Sequence, residues 1–186
     1  VPHGIGRRSL VAADSVNAEA LASREFDVVV GGAIHGEDEL RGMKSQLPAQ
    51  THGWVDEIVM LMLAEPMLPF EQAVDLVAGS RGVVTGNWST LAGLWRAAMA
   101  HLNRLQRIQM VEELQGLDVA VFGGEAWREV CRGTIRWQGD AAYTDISKAF
   151  ARGRVCLAWG PTQFEHTFSE RLLLSMAAGC ASVADD

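Results

Sequence analysis

Residues 144–186 read TDISKAFARGRVCLAWGPTQFEHTFSERLLLSMAAGCASVADD, and two helical segments alternate in them with two short apolar runs. TDISKAFARG carries Asp145 near its start and Gly153 after its end, the usual start and stop signals of a helix. RVCLAWG is a continuous apolar run of strand length. FSERLLLSMAAG is a second helix, with Ser169 as its cap and Gly179 as its stop. CASVADD opens another strand. Strands separated by helices predict a parallel sheet with crossover connections. In such sheets ligands bind in the loops at the carboxyl ends of the strands.

The same grammar extends upstream. FDVVVGGAIHG (26–36) is a β-branched run entering a glycine loop, with a helix after Glu37. LDVAVFGGEAW (117–127) is strand then glycine turn, and TIRWQG (134–139) is a short strand. Continuous rather than alternating apolar runs suit strands covered on both faces. The expected fold class is therefore α/β, a Rossmann-like parallel sheet.

Between the strands at 26 and 117 the pattern is helical, over about 54–116. WVDEIVMLMLAE is closed by Pro66, and LPFEQAVDLVAGS has Pro69 near its start and Gly79 near its end. From Leu91 to Leu114 apolar residues recur at steps of three and four, the mark of an amphipathic helix. The expected organisation is a linker or the end of a preceding domain at 1–25 and a Rossmann-like lobe at 26–186, with a mostly helical insertion at about 54–116. The start at Val1 and the stop after a strand suggest a piece of a larger protein, cut short at its C-terminus.

Composition narrows the classes. The 186 residues are 48% hydrophobic and 21% charged, ordinary for a globular chain. A net charge of −7 argues against nonspecific nucleic-acid binding and against anionic membrane surfaces. Cys131, Cys156 and Cys180 are odd in number and widely spaced, without C-x-x-C, so they read as reduced thiols of a cytoplasmic protein. The longest uncharged apolar run is far short of the ~20 residues a bilayer span needs.

The strand-end loops hold the candidate site. Gly31-Gly32 and Gly123-Gly124 allow close backbone approach, to a phosphate or simply to a neighbouring turn; GGAIHG is neither G-x-G-x-x-G nor a P-loop. The loop at 160–169 is the most polar. Thr167, Ser169 and Arg171 gather hydroxyls and a cation where a helix N-terminus presents unpaired N–H groups, a natural anion site. Glu165 and His166 suit sugar hydroxyls or acid–base work. Plain helix capping by Ser169 is the alternative. The remaining histidines (His3, His35, His52 and His101) lack metal-ligand spacing, and no G-x-S-x-G elbow appears. Trp127, Trp137 and Trp159 fall near strand ends, as core or as stacking surfaces, whereas Trp54, Trp88 and Trp95 lie in helices.

Taken in order, FDVVVGGAIHG, LDVAVFGGEAW, YTDISKAFARGRVCLAWGP and FSERLLLSMAAGCASVADD resemble the C-terminal, donor-binding lobe of a GT-B fold group-1 glycosyltransferase of the spore-coat glycosyltransferase-like type. Phe168, Ser169, Arg171, Met176, Ala177 and Gly179 fit that family's last segment. The likeness covers 26–36 and 117–186 and does not extend through the helical region. It implies an enzyme that transfers a sugar from a nucleotide-sugar substrate to an acceptor, with no resident metal or cofactor. By the same resemblance the donor would meet Gly32, Gly123, Gly124, Gln138, Gly139, Tyr143, Glu165, His166, Thr167, Phe168, Ser169 and Arg171. The catalytic base and most of the acceptor site would lie in an N-terminal lobe. There is one departure. The family keeps two glutamates eight positions apart, and alignment on Gly179 puts His166 and Leu174 there. A non-catalytic GT-B-like binding or interaction domain, self-associating through the helical segment, is the other expectation.

Overall fold

The computed structural model describes residues 18–81, 87–142, 144–158 and 170–183. Two compact units divide the chain: 1–34 with 110–186, and 35–109.

The first unit is built on a five-stranded, all-parallel sheet: β1 (Phe26–Gly31), β2 (Val119–Phe122), β3 (Ile135–Trp137), β4 (Gly153–Leu157) and β5 (Ala181–Val183). Their spatial order is β3-β2-β1-β4-β5. This is the order of a Rossmann-like sheet, and it reverses direction between β1 and β4. Val28 stands beside both Val119 and Val155 in the register. β1 is the central strand, and Val28, Val29 and Val30 are all buried.

One face is covered by two helices, α6 (Ile146–Phe150) and α7 (Glu170–Ala177). Val29, Ala120 and Cys156 form a single apolar cluster with Phe150, Leu174 and Ala178. Gly31 at the end of β1 is needed for this packing, because a Cβ there would sit 2.8 Å from Phe150 Cζ. Val28, Val30, Val119 and Val121 alternate onto the opposite face and are also buried.

α7 ends in a Schellman motif. Gly179 takes φ 70°, its N–H donates to Met176 O (2.9 Å), and the Cys180 N–H donates to Ser175 O (3.1 Å). Arg24, which follows the short helix α1 (Ala18–Ala22), donates to Ala178 O (3.1 Å) and Gly153 O (2.7 Å). That guanidinium neutralises the carbonyl end of α7 while fixing the entry into β1.

The second unit is helical: α2 (Glu37–Ser45), α3 (His52–Ala64), α4 (Phe70–Ser80) and most of α5 (Trp88–Glu112). Trp54, Ile58, Val59, Val74, Leu94, Ala98 and Leu102 form its core. Buried Arg104 donates to His35 O (2.7 Å) and pairs with Glu37 (3.4 Å). The helical unit starts earlier than the sequence pattern suggests, at His35 rather than near 54. The short, strongly polar α2 belongs with α3 and not with the sheet.

Among the described residues no helix is long and apolar enough to cross a membrane.

Candidate functional site

The carboxyl ends of β1, β2 and β3 are bound to one another through their glycines. Gly32 N–H donates to Phe122 O (2.9 Å), and Gly123 N–H donates to Gly139 O (3.0 Å). Two tryptophans complete the tie. The fully buried Trp127 indole donates to Gly32 O (2.6 Å), and the Trp137 indole donates to Gly123 O (2.8 Å). A Cβ on Gly123 would overlap the Gly32 carbonyl oxygen and lie 2.8 Å from Trp127 Cδ1. The Gly-Gly turn of β2 therefore permits close approach between two backbones. Both glycine N–H groups are engaged within the unit.

Gly124 leads into a 3₁₀ turn at Glu125–Glu129, which swings Trp127 back beneath the sheet edge. Gln138 is exposed; its N–H donates to Val121 O (2.9 Å) and its side-chain oxygen accepts from Arg152 (3.5 Å). Arg152 also grips Glu25 through two hydrogen bonds (2.9 and 3.0 Å), which hold the Glu25 carboxyl below its ordinary pKa.

Arg171, in the first turn of α7, lies against the end of β1. A Cβ on Gly32 would sit 3.4 Å from Arg171 Cζ. Gly32 has φ 146°, a conformation side chains rarely adopt, so glycine both permits the turn and leaves room for the guanidinium. Burial lowers the pKa of Arg171, with Cys156 and Glu170 acting in the opposite direction. The cation sits at the reversal between β1 and β4, the place where a sheet of this order opens a crevice.

Behind Arg171 lies a small polar cluster with no obvious signature in the sequence. Ser175, fully buried one turn further along α7, shares a hydrogen bond with Ser182 of β5 (2.6 Å) and donates to Leu172 O (2.8 Å). Burial pushes the neighbouring Cys156 thiol up to about 12, with Cys180 adding to the rise and Ser175 opposing it. Cys180 is likewise raised by burial, and its thiol donates to Phe150 O (2.8 Å). The i, i+4 spacing of Arg171 and Ser175 is the only signal of this cluster that the sequence carries.

The structure thus brings Gly32, Gly123, Gly139 and Arg171 to one edge of the sheet, with Gly124 and Gln138 beside them. Tyr143, Trp159, Glu165, His166, Thr167, Phe168 and Ser169 lie outside the described residues. Leu174 is 6% exposed and packs into the apolar cluster beneath α7. Comparison with family models, curated proteins and solved structures finds no match to the chain. No group of three or more His, Cys, Asp or Glu side chains is gathered to hold a metal among the described residues.

Proposed function

We propose that the sheet unit is the donor-binding lobe of a glycosyltransferase, taking a nucleotide-sugar and passing its sugar to an acceptor. The observation that carries this reading is the seating of Arg171 against Gly32 at the strand-order reversal. A partly desolvated guanidinium interacts more strongly with an anion than one in bulk water, and its fork matches phosphate oxygens. Positive charge at that point would hold the donor diphosphate and stabilise it as it leaves. Because the Gly32 and Gly123 N–H groups are already engaged, the cation rather than a glycine cradle would supply the anion contact. Calorimetry with UDP and GDP tests this: saturable heat is expected, and Arg171→Ala should weaken either diphosphate by at least tenfold while leaving free nucleoside affinity unchanged. Absence of heat at millimolar nucleotide refutes it.

A second reading, a binding domain without catalysis, draws support from Leu174. At the position where the family resemblance expects a ribose-holding carboxylate, this chain has a core leucine. Under that reading nucleotide binding persists or vanishes without any sugar transfer to acceptors.

A further inference from the structure

The helical unit holds a cavity that its own packing leaves unfilled. It measures about 360 Å³ and lies between the C-terminal end of α2 and the first turns of α5. That is the small end of the ~300–1,000 Å³ range of ligand pockets. Met43, Leu47 and Pro48 give one wall its apolar surface, with Gln46 among them. The other wall is α5, where Ser89, Gly93 and Arg96 fall at i, i+4 and i+7 on one helix face. Gly93 lets α5 come close to the apolar wall, because a Cβ there would lie 2.7 Å from Leu47 Cδ2.

The polar groups lining this cavity are mostly donors without partners. Arg96 is its one charged side chain, and no acidic residue lines it among the described residues. Arg96, the Gln46 side chain and the Thr90 hydroxyl make no hydrogen bond or ion pair among the described residues. Asn87 Oδ1 is engaged by the Ser89 N–H (3.0 Å) and hydroxyl (2.8 Å), so Asn87 has its NH₂ group left to offer. The carbonyls at the end of α2 that would oppose an anion are already taken. Met43 O accepts from the Gln46 N–H (3.3 Å), Lys44 O from the Leu47 N–H (3.1 Å), and Leu47 O from His52 Nε2 (2.9 Å). A chain of net charge −7 thus keeps one small pocket of positive sign.

We infer that this cavity binds a small monocarboxylic acid, whose carboxylate meets Arg96 and whose hydrocarbon part lies on Met43, Leu47 and Pro48. The guanidinium fork matches the two oxygens of a planar carboxylate. One cation balances the single charge of a carboxylate, whereas a phosphate monoester, at about −1.5 to −2, would leave an excess. Gln46 and Thr90 can hold a second polar group of the acid, since both line the same space.

The test uses the whole 186-residue chain, labelled with ¹⁵N, and three acids: benzoate, phenylacetate and isovalerate. Phenylacetamide serves as the neutral counterpart and inorganic phosphate as the competing anion. At least one acid should shift the amides of Leu47, Thr90, Gly93 and Arg96 along a saturable curve, with phenylacetamide and phosphate at least tenfold weaker. Arg96→Gln should weaken the acid at least tenfold with the circular dichroism spectrum unchanged, since Arg96 is exposed. Gln46→Ala should weaken it severalfold. Arg171→Ala should leave it unchanged, which separates this cavity from the proposed diphosphate site. No saturable shift at these amides with any of the three acids overturns the inference. So does phenylacetamide or phosphate binding as tightly as the acids, or acid affinity that survives Arg96→Gln.

Discussion

Gly123→Ala is the sharpest probe of how the sheet edge is assembled. The new methyl would lie 2.8 Å from Trp127 Cδ1 and 2.9 Å from the Gly32 carbonyl carbon, and would overlap the Gly32 oxygen. Carbon atoms at rest sit about 3.5–4.0 Å apart, so something must move by more than half an ångström. Neither neighbour is a flexible chain end. One is backbone, and the other is an indole buried and fixed by its hydrogen bond to Gly32 O. Overpacking of this kind costs about 1–3 kcal/mol. If Trp127 is displaced, a buried donor and acceptor lose each other, at about 1–3 kcal/mol more. The expected loss is about 3 kcal/mol, or roughly a 6–12 °C fall in Tm for a chain of this size. Gly124→Ala is the matched control. Gly124 has φ −53°, and a methyl added there would meet nothing within 4 Å. Alanine therefore fits, and should leave stability unchanged or raise it by up to about 1 kcal/mol. Urea unfolding followed by circular dichroism measures both. Two variants equally stable, or Gly124→Ala the worse of the pair, would refute the account of β1 and β2 held in direct backbone contact.

Cys156 links stability to pH. Its folded value of about 12 lies above the reference 9.0, so its contribution is intact below pH 9 and is lost as pH rises from 9 toward 12. Cys156→Ala should flatten that alkaline loss in urea titrations, and in the native protein Cys131, which is partly exposed, should react with a thiol reagent before Cys156 or Cys180. Leu174→Ala should cost about 2–5 kcal/mol by leaving a cavity under α7. Leu174→Glu should destabilise the chain further rather than create a ribose contact, since it buries a carboxylate among Phe150, Ala178 and Val29. Gains in both stability and nucleotide affinity on Leu174→Glu would contradict that placement.

The strands are legible in the sequence because a parallel sheet covered on both faces needs unbroken apolar runs: FDVVV and VAVF carry that signal in their own composition. Glycine stops and Pro69 mark helix ends for reasons equally local, and the Schellman turn at Gly179 follows from its freedom at positive φ. Strand order is not legible, because nothing in β4 says it pairs with β1 and not with β3. Nor is the reach of the helical unit back to His35, which depends on Arg104 bonding a carbonyl 69 positions away. At the site, Gly32 and Arg171 each stand out in the sequence, but their juxtaposition arises only when α7 lies along the sheet. The Trp127 and Trp137 ties are hidden for a similar reason. An indole near a strand end has the same sequence signature whether it stacks on a ligand or donates to a backbone carbonyl.

The proposed anion site is the point where Arg171 meets the end of β1. Amide NMR of the ¹⁵N-labelled chain, titrated with UDP and separately with uridine, tests it most directly. UDP, and not uridine, should shift the amides of Gly32, Ala33, Ala158 and Arg171 along a saturable curve that Arg171→Ala abolishes. UDP shifts confined to the helical unit, or no shift at these four residues at saturating UDP, would contradict it.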